Sequence, residues 1–97
     1  GFLREEVENA LDQIASSCGR ISIKGLMTIP PPSSEDDWLR KMEALYQELR
    51  VKHPEAGLTT LSMGTSGDYT RAVRWGSTQV RLGQAIFGSR NRTPDNL

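Results

Sequence analysis

The sequence predicts an α/β protein built on parallel strands. Stretches with helical periodicity alternate with short β-branched runs in the order helix, strand, helix, strand, helix, strand. The connections suit helices crossing over a parallel sheet rather than hairpins of antiparallel strands. Three strands and three helices cannot cover both faces of such a sheet or close a barrel, so the chain is expected to pair with another or to be part of something larger.

The first helix is read from Leu3, Val7, Ala10, Leu11 and Ile14, which recur at three- and four-residue spacing while Arg4, Glu5, Glu6, Glu8, Asn9 and Asp12 fill the other face. Ser16, Ser17 and Gly19 stop it. Residues 21–29 then read as a buried strand, β-branched and apolar except for Lys24 and Thr28. Pro30, Pro31 and Pro32 end that strand, since proline has no N–H to donate and pushes the preceding residue out of the helical region. Ser33 and Ser34, followed by Asp36 and Asp37, mark a helix start with acids in its first turn. Trp38, Met42, Leu45, Tyr46 and Leu49 form its inward stripe, and it ends near Lys52-His53-Pro54. Gly57 leads into a second strand over 58–63, broken by Gly64 and followed by Thr65 and Ser66. Asp68 is placed to cap a short helix with Tyr69, Ala72 and Val73 on one face, and Gly76 ends it. A third strand over 78–82 runs into a turn at Gly83 and Gln84. The last two strands thus offer two adjacent turns with backbone N–H groups, hydroxyls and a cation at their C-terminal ends, a constellation suited to an anion.

Composition narrows the function classes. The 97 residues carry balanced charge, which points to neither a nucleic-acid nor a membrane-surface partner. The balance is uneven along the chain: residues 69–97 hold five arginines against one acid, and residues 1–68 hold seven bases against eleven acids. The positive end therefore contains the glycine turns, as anion binding requires. A single cysteine, Cys18, excludes an internal disulfide and offers no metal-ligand spacing. With no signal-like leader and no long apolar run, a cytoplasmic protein is expected.

Three separated segments, GLMTIPPP (25–32), LSMGTSGDYTRAV (61–73) and GSTQVRLGQAIFGSR (76–90), resemble the last part of the pyridoxal phosphate homeostasis proteins, the YggS/PROSC family, whose members are similar to the barrel domain of alanine racemase. The resemblance runs from about Phe2 to Arg90. It implies that residues 1–97 are the C-terminal part, about three β/α units, of a (β/α)8 TIM-type barrel that binds pyridoxal 5'-phosphate, PLP. It further implies that the Schiff-base lysine lies on the first barrel strand, outside this chain. By the same resemblance Ser66, with Ser62 and Met63 nearby, contacts the cofactor from the turn after the second strand, and Gly83 and Gln84 hold the phosphate from the other side. Gln84 stands where the family usually has threonine; its amide and its backbone N–H can both still donate. Arg81 corresponds to the residue facing the pyridine nitrogen. An arginine there disfavours protonating that nitrogen and weakens the ring as an electron sink, which suits a carrier better than a transaminase.

The implied function is PLP homeostasis by a non-enzymatic protein, with PLP-dependent apoenzymes as possible recipients. Two other readings stand beside it. An alanine racemase-type enzyme would need the aldehyde lysine and a tyrosine base from a following domain, whereas Tyr46 and Tyr69 fall on helices here. A cofactor-free half-barrel assembly module would use the same glycine turns only as turns. Among single residues, Lys24 is read as a rim or outward-reaching lysine, His53 as solvated, Trp38 and Met42 as core, and Cys18 as inert.

Overall fold

The computed structural model describes residues 1–31 and 36–88. Its elements are α1 (Arg4–Ser17), β1 (Gly25–Met27), α2 (Asp36–Lys52), a 3₁₀ turn (Pro54–Ala56), β2 (Thr60–Ser62), α3 (Tyr69–Arg74) and a single helical turn, α4 (Gln84–Phe87). The expected caps at Ser33 and Ser34 lie outside the described residues. At the start of α1 the Glu6 carboxylate accepts a hydrogen bond from the Leu3 N–H at 2.7 Å, satisfying a donor that has no partner within the helix. Helix α2 carries Asp36 and Asp37 in its first turn and Arg50 and Lys52 in its last, so its charges complement the helix dipole at both ends.

The sheet is parallel, as expected. Strands β1 and β2 pair in the register Gly25 with Thr60, Leu26 with Leu61 and Met27 with Ser62. Hydrogen bonds from the Thr59 and Thr60 N–H groups to the Lys24 carbonyl and from the Thr28 N–H to the Ser62 carbonyl extend the ladder by one residue at each end. The expected strand over 21–29 is therefore too long: pairing reaches only from Lys24 to Thr28, and Ile21 and Ile29 are exposed.

The third expected strand is present as an extended run attached to β2 through one parallel bridge, Ser62 with Gln79. Side chains complete the attachment. The Ser77 hydroxyl donates to the Met63 carbonyl at 2.6 Å, and the Thr78 hydroxyl accepts from the Leu61 N–H at 2.8 Å, a position that a regular ladder would give to a carbonyl. Beyond the bridge the Met63 N–H donates to Gln79 and the Arg81 N–H to Gly64, so the run stays parallel to β2 up to the turn.

Alternation along β2 divides the sheet into two faces. Leu61 and Met63 are fully buried and join Leu39, Leu45, Tyr46, Leu49, Leu58 and Ala72 in the core beneath α2 and α3. Each large buried apolar side chain contributes about 1.5–3 kcal/mol. The opposite face carries Thr60, Ser62 and Gln79 with Met27, which is 62% exposed. In a closed barrel such a face is the interior.

Helix α2 presents a stripe rotated from the expected one. Leu39, not Trp38, is fully buried, and Trp38 stands at the edge of the stripe, 41% exposed. Leu39 faces the sheet core. Trp38 instead lines an apolar groove between α1, β1 and α2, while Met42 packs against the core as expected and also borders that groove. On α3 only Ala72 is buried, so the expected apolar face of Tyr69, Ala72 and Val73 is one residue wide. The Asp36 carboxylate and the Arg71 Nε, 2.6 Å apart, tie the start of α2 to α3 and hold the Asp36 carboxyl below its usual range, with Trp75 adding to the effect.

Candidate functional site

The two glycine turns meet at the C-terminal end of the sheet. Gly64 leaves β2 with φ +109°, a conformation other residues rarely adopt, and an added Cβ would lie 2.9 Å from the Ala72 Cβ. The chain can therefore turn sharply under α3 only with glycine there. Asp68 closes the turn rather than capping α3: its Oδ1 accepts from the Thr65 N–H at 2.7 Å and lies 3.2 Å from the Thr65 hydroxyl. That is the aspartate's usual competition between capping a helix and stabilising a turn.

Ser66 is the residue that joins the two turns. Its Oγ accepts a hydrogen bond from the Ala85 N–H at 2.8 Å, across 19 residues of sequence. With that lone pair occupied, the hydroxyl hydrogen is free to donate. Gly83 and Gln84, immediately before Ala85, are exposed, and their N–H groups have no acceptor among the described residues. The expected turn at Gly83 and Gln84 continues into α4. Four residues between two glycines are too few to show periodicity, so that helical turn left no mark in the sequence.

Arg81 completes the arrangement. It is half-buried, and its Nη2 donates to the Thr28 carbonyl at 2.7 Å, joining the run after α3 to the end of β1. Its Nε is buried and has no hydrogen-bond partner among the described residues. A buried guanidinium nitrogen without an acceptor is costly and points to a group that supplies one. Lys24, Met27, Thr60, Ser62, Gln79 and Arg81 line a shallow concavity of about 420 Å³ on the face of the sheet opposite the core. The candidate residues Ser62, Ser66, Arg81, Gly83 and Gln84 thus belong to this concavity or to the two turns beside it.

Met63 is the exception. Its side chain is fully buried in the core on the opposite face, because alternation sends residues 61 and 63 one way and residue 62 the other. As a side-chain contact to a cofactor Met63 is therefore a correction, and only its backbone stands at the strand end. Lys24, just before β1, is exposed and lines the same concavity as Ser62 and Arg81, so it does not stand apart from the site as an outward-reaching lysine would.

His53 also departs from expectation. Rather than being solvated, its ring is 15% exposed, and Nε2 lies 2.7 Å from Glu8 Oε2. That hydrogen bond raises the imidazole's pKa from the ordinary 6.5 and lowers the Glu8 carboxyl. Forty-five residues separate the pair, and no local pattern announces it. Among the described residues, no group of three or more histidine, cysteine, aspartate or glutamate side chains could hold a metal, and no helix is long and apolar enough to cross a membrane.

The sheet and its paired turns define a class. The family model for the alanine racemase N-terminal domain matches residues 1–91, and an α/β barrel is the fold of that class. Pyridoxal phosphate homeostasis proteins of Haemophilus influenzae and Escherichia coli K12 are 41% and 39% identical to the chain over 75 and 88 residues, covering 73% and 84% of it. The chain spans about a third of the length of those relatives, 32% and 37%. PipY of Synechococcus elongatus PCC7942, solved with PLP bound, matches with a TM-score of 0.76 at 32% identity, covering 91% of this chain and 43% of that one. The same protein without PLP gives 0.74, covering 42% of its chain. The chain belongs to the YggS/PROSC family of pyridoxal phosphate homeostasis proteins, within the alanine racemase N-terminal domain class.

Proposed function

We propose that the chain is the C-terminal part of a PLP-binding barrel, that it supplies the phosphate and pyridine-nitrogen contacts without the Schiff-base lysine, and that the whole protein manages PLP without catalysing a reaction. The observation that carries this is the orphaned, buried Nε of Arg81 beside two turns joined through Ser66. The donor set fits the cofactor. Ser66 O–H and the free Gly83 and Gln84 N–H groups suit a phosphate, and a guanidinium nitrogen lacking an acceptor suits a ring nitrogen.

When bound, PLP supplies an aldehyde and a ring that can accept electrons. The residues of this chain act on that chemistry only from outside. Arg81 keeps its positive charge at all accessible pH and donates hydrogen bonds, so it holds a pyridine nitrogen unprotonated and limits electron withdrawal. Thr28 orients the guanidinium through its carbonyl. Ser66 and the N–H groups of residues 83 and 84 orient the phosphate and neutralise part of its charge. The retained cofactor is thereby kept available for transfer to PLP-dependent apoenzymes.

Titrating PLP into the chain, followed by ³¹P NMR line broadening, tests the phosphate contacts. Ser66→Ala is expected to weaken binding about ten-fold or more, the loss of one hydrogen bond to a charged group, about 1.5–3 kcal/mol. Pyridoxal, which lacks the phosphate, is expected to bind equally weakly to both proteins. Borohydride treatment is expected to leave no stoichiometric adduct at Lys24. An affinity unchanged by Ser66→Ala, or such an adduct, would overturn the reading.

The unpartnered strand edge leads to a second expectation. Beside β1, the exposed Ile21, Met27 and Ile29 form a template for association. Light scattering on the isolated chain is expected to show a self-associated species rather than a monomer.

A further inference from the structure

Helix α1 is held by less burial than the other long helix, α2. It buries one side chain, Leu11, whereas α2 buries four. Between α1 and α2 lies the apolar groove of about 520 Å³, lined by Val7, Ala10 and Ile14 on one side and by Trp38, Met42 and Leu45 on the other. Apolar packing along this seam is thus incomplete, and polar groups along one margin complete the attachment.

Those groups form a continuous chain. Arg4 reaches Glu48 at 3.2 Å, Lys52 reaches Glu48 at 3.1 Å and Glu8 at 3.9 Å, and His53 lies 2.7 Å from Glu8. The other His53 nitrogen, Nδ1, lies 3.6 Å from both Asp12 of α1 and Glu55 of the 3₁₀ turn. The imidazole therefore faces Glu8 and Asp12 on α1 and Glu55 on its own connection, with Lys52 as the neighbouring cation. The ion pairs of Arg4 and Lys52 are exposed, and each is weak alone. His53 is the shielded member, and it is the one whose charge changes near neutral pH.

We propose that His53 is a proton-operated clasp for α1: the protonated ring, set between carboxylates of α1 and of the 3₁₀ turn, keeps the helix over the groove, and loss of the proton lets the helix lift and expose the groove. This lies outside the cofactor reading and uses none of its residues.

The pH window follows from the directions of the shifts. The His53 pKa is raised, first by the hydrogen bond to Glu8, so its contribution is complete below the ordinary 6.5 and is lost as pH rises through the folded-state value. The Glu8 pKa is lowered, first by the hydrogen bond to His53, so its contribution is complete above the ordinary 4.5 and is lost as pH falls through the folded-state value. Docking is strongest between those two ordinary values.

Two probes already in the chain test this. His53 is the only histidine, so its ring resonance needs no assignment, and Trp38 lines the groove and reports its exposure. In Trp75→Phe, acrylamide quenching of Trp38 is expected to rise by up to about two-fold as the ring deprotonates, since the indole is 41% exposed when α1 is docked. Its midpoint is expected to coincide with the His53 NMR titration of the parent chain. His53→Gln is expected to remove the transition and leave Trp38 at its high-pH quenching throughout. A flat Trp38 profile, a midpoint apart from that of His53, or a transition that survives His53→Gln would each overturn the proposal.

Discussion

Gly25→Ala is expected to abolish cooperative folding of the chain. A Cβ at this position would overlap the Thr60 carbonyl, lying 2.5 Å from its carbon and 2.9 Å from the Thr60 Cα. Every atom it meets is backbone, so no side-chain rotation relieves the overlap. Overpacking in cores that can adjust costs about 1–3 kcal/mol, and here relief requires the strands to separate. The register from Gly25 with Thr60 to Met27 with Ser62 would then be lost. So would the hydrogen bond from Arg81 to the Thr28 carbonyl, because Thr28 is positioned by the same pairing. Gly67→Ala is the control. That glycine is exposed, with nothing within 4 Å of an added Cβ and no left-handed backbone. Circular dichroism during urea titration is expected to show a transition for Gly67→Ala like that of the parent and none for Gly25→Ala. Matching transitions for the two would refute the close approach of the strands.

Met63→Ala and Ser62→Ala should separate the two faces of β2. Met63 is fully buried in the core, and truncating such a side chain costs about 2–5 kcal/mol. A chain of this size has little stability to spare, so most of its cooperative transition should disappear. Ser62 is buried to 6% exposure on the opposite face, where it lines the concavity beside Arg81. Its hydroxyl fills no core space, so Ser62→Ala should leave the urea midpoint nearly unchanged. Equal destabilisation by the two substitutions would mean that the face assignment is wrong.

The residues that could be read in the sequence were those whose role is local. Three prolines after Ile29, Gly57 before β2 and the paired turns at Gly64 and Gly83 mark breaks that hold wherever the chain is placed. Arg81 between Val80 and Leu82 was visible as a cation needing a partner, but not which partner. The misreadings share one cause. Trp38 and Leu39 are neighbours, and helical spacing alone accommodates either in the stripe; which one enters the core depends on where β2 places Leu61 and Met63. The strand expected over 21–29 has β-branched residues at Ile21, Ile23, Thr28 and Ile29, yet pairing with β2 reaches only five residues, 24–28. Met63 beside the turn at Gly64 could face either way until the register was known.

The order of elements, the parallel crossovers, the glycine turns and the uneven charge were determined by the sequence itself, because propensity, proline geometry and glycine's freedom act within a turn or two of the chain. Only the tertiary structure decided that Ser66 meets Ala85, that Arg81 reaches Thr28 across 53 residues, and that Glu8 meets His53 across 45. Those contacts depend on strand register and helix rotation. Both are set by burial of Leu39, Leu61 and Met63 in a shared core, a balance of many weak interactions that no short segment contains.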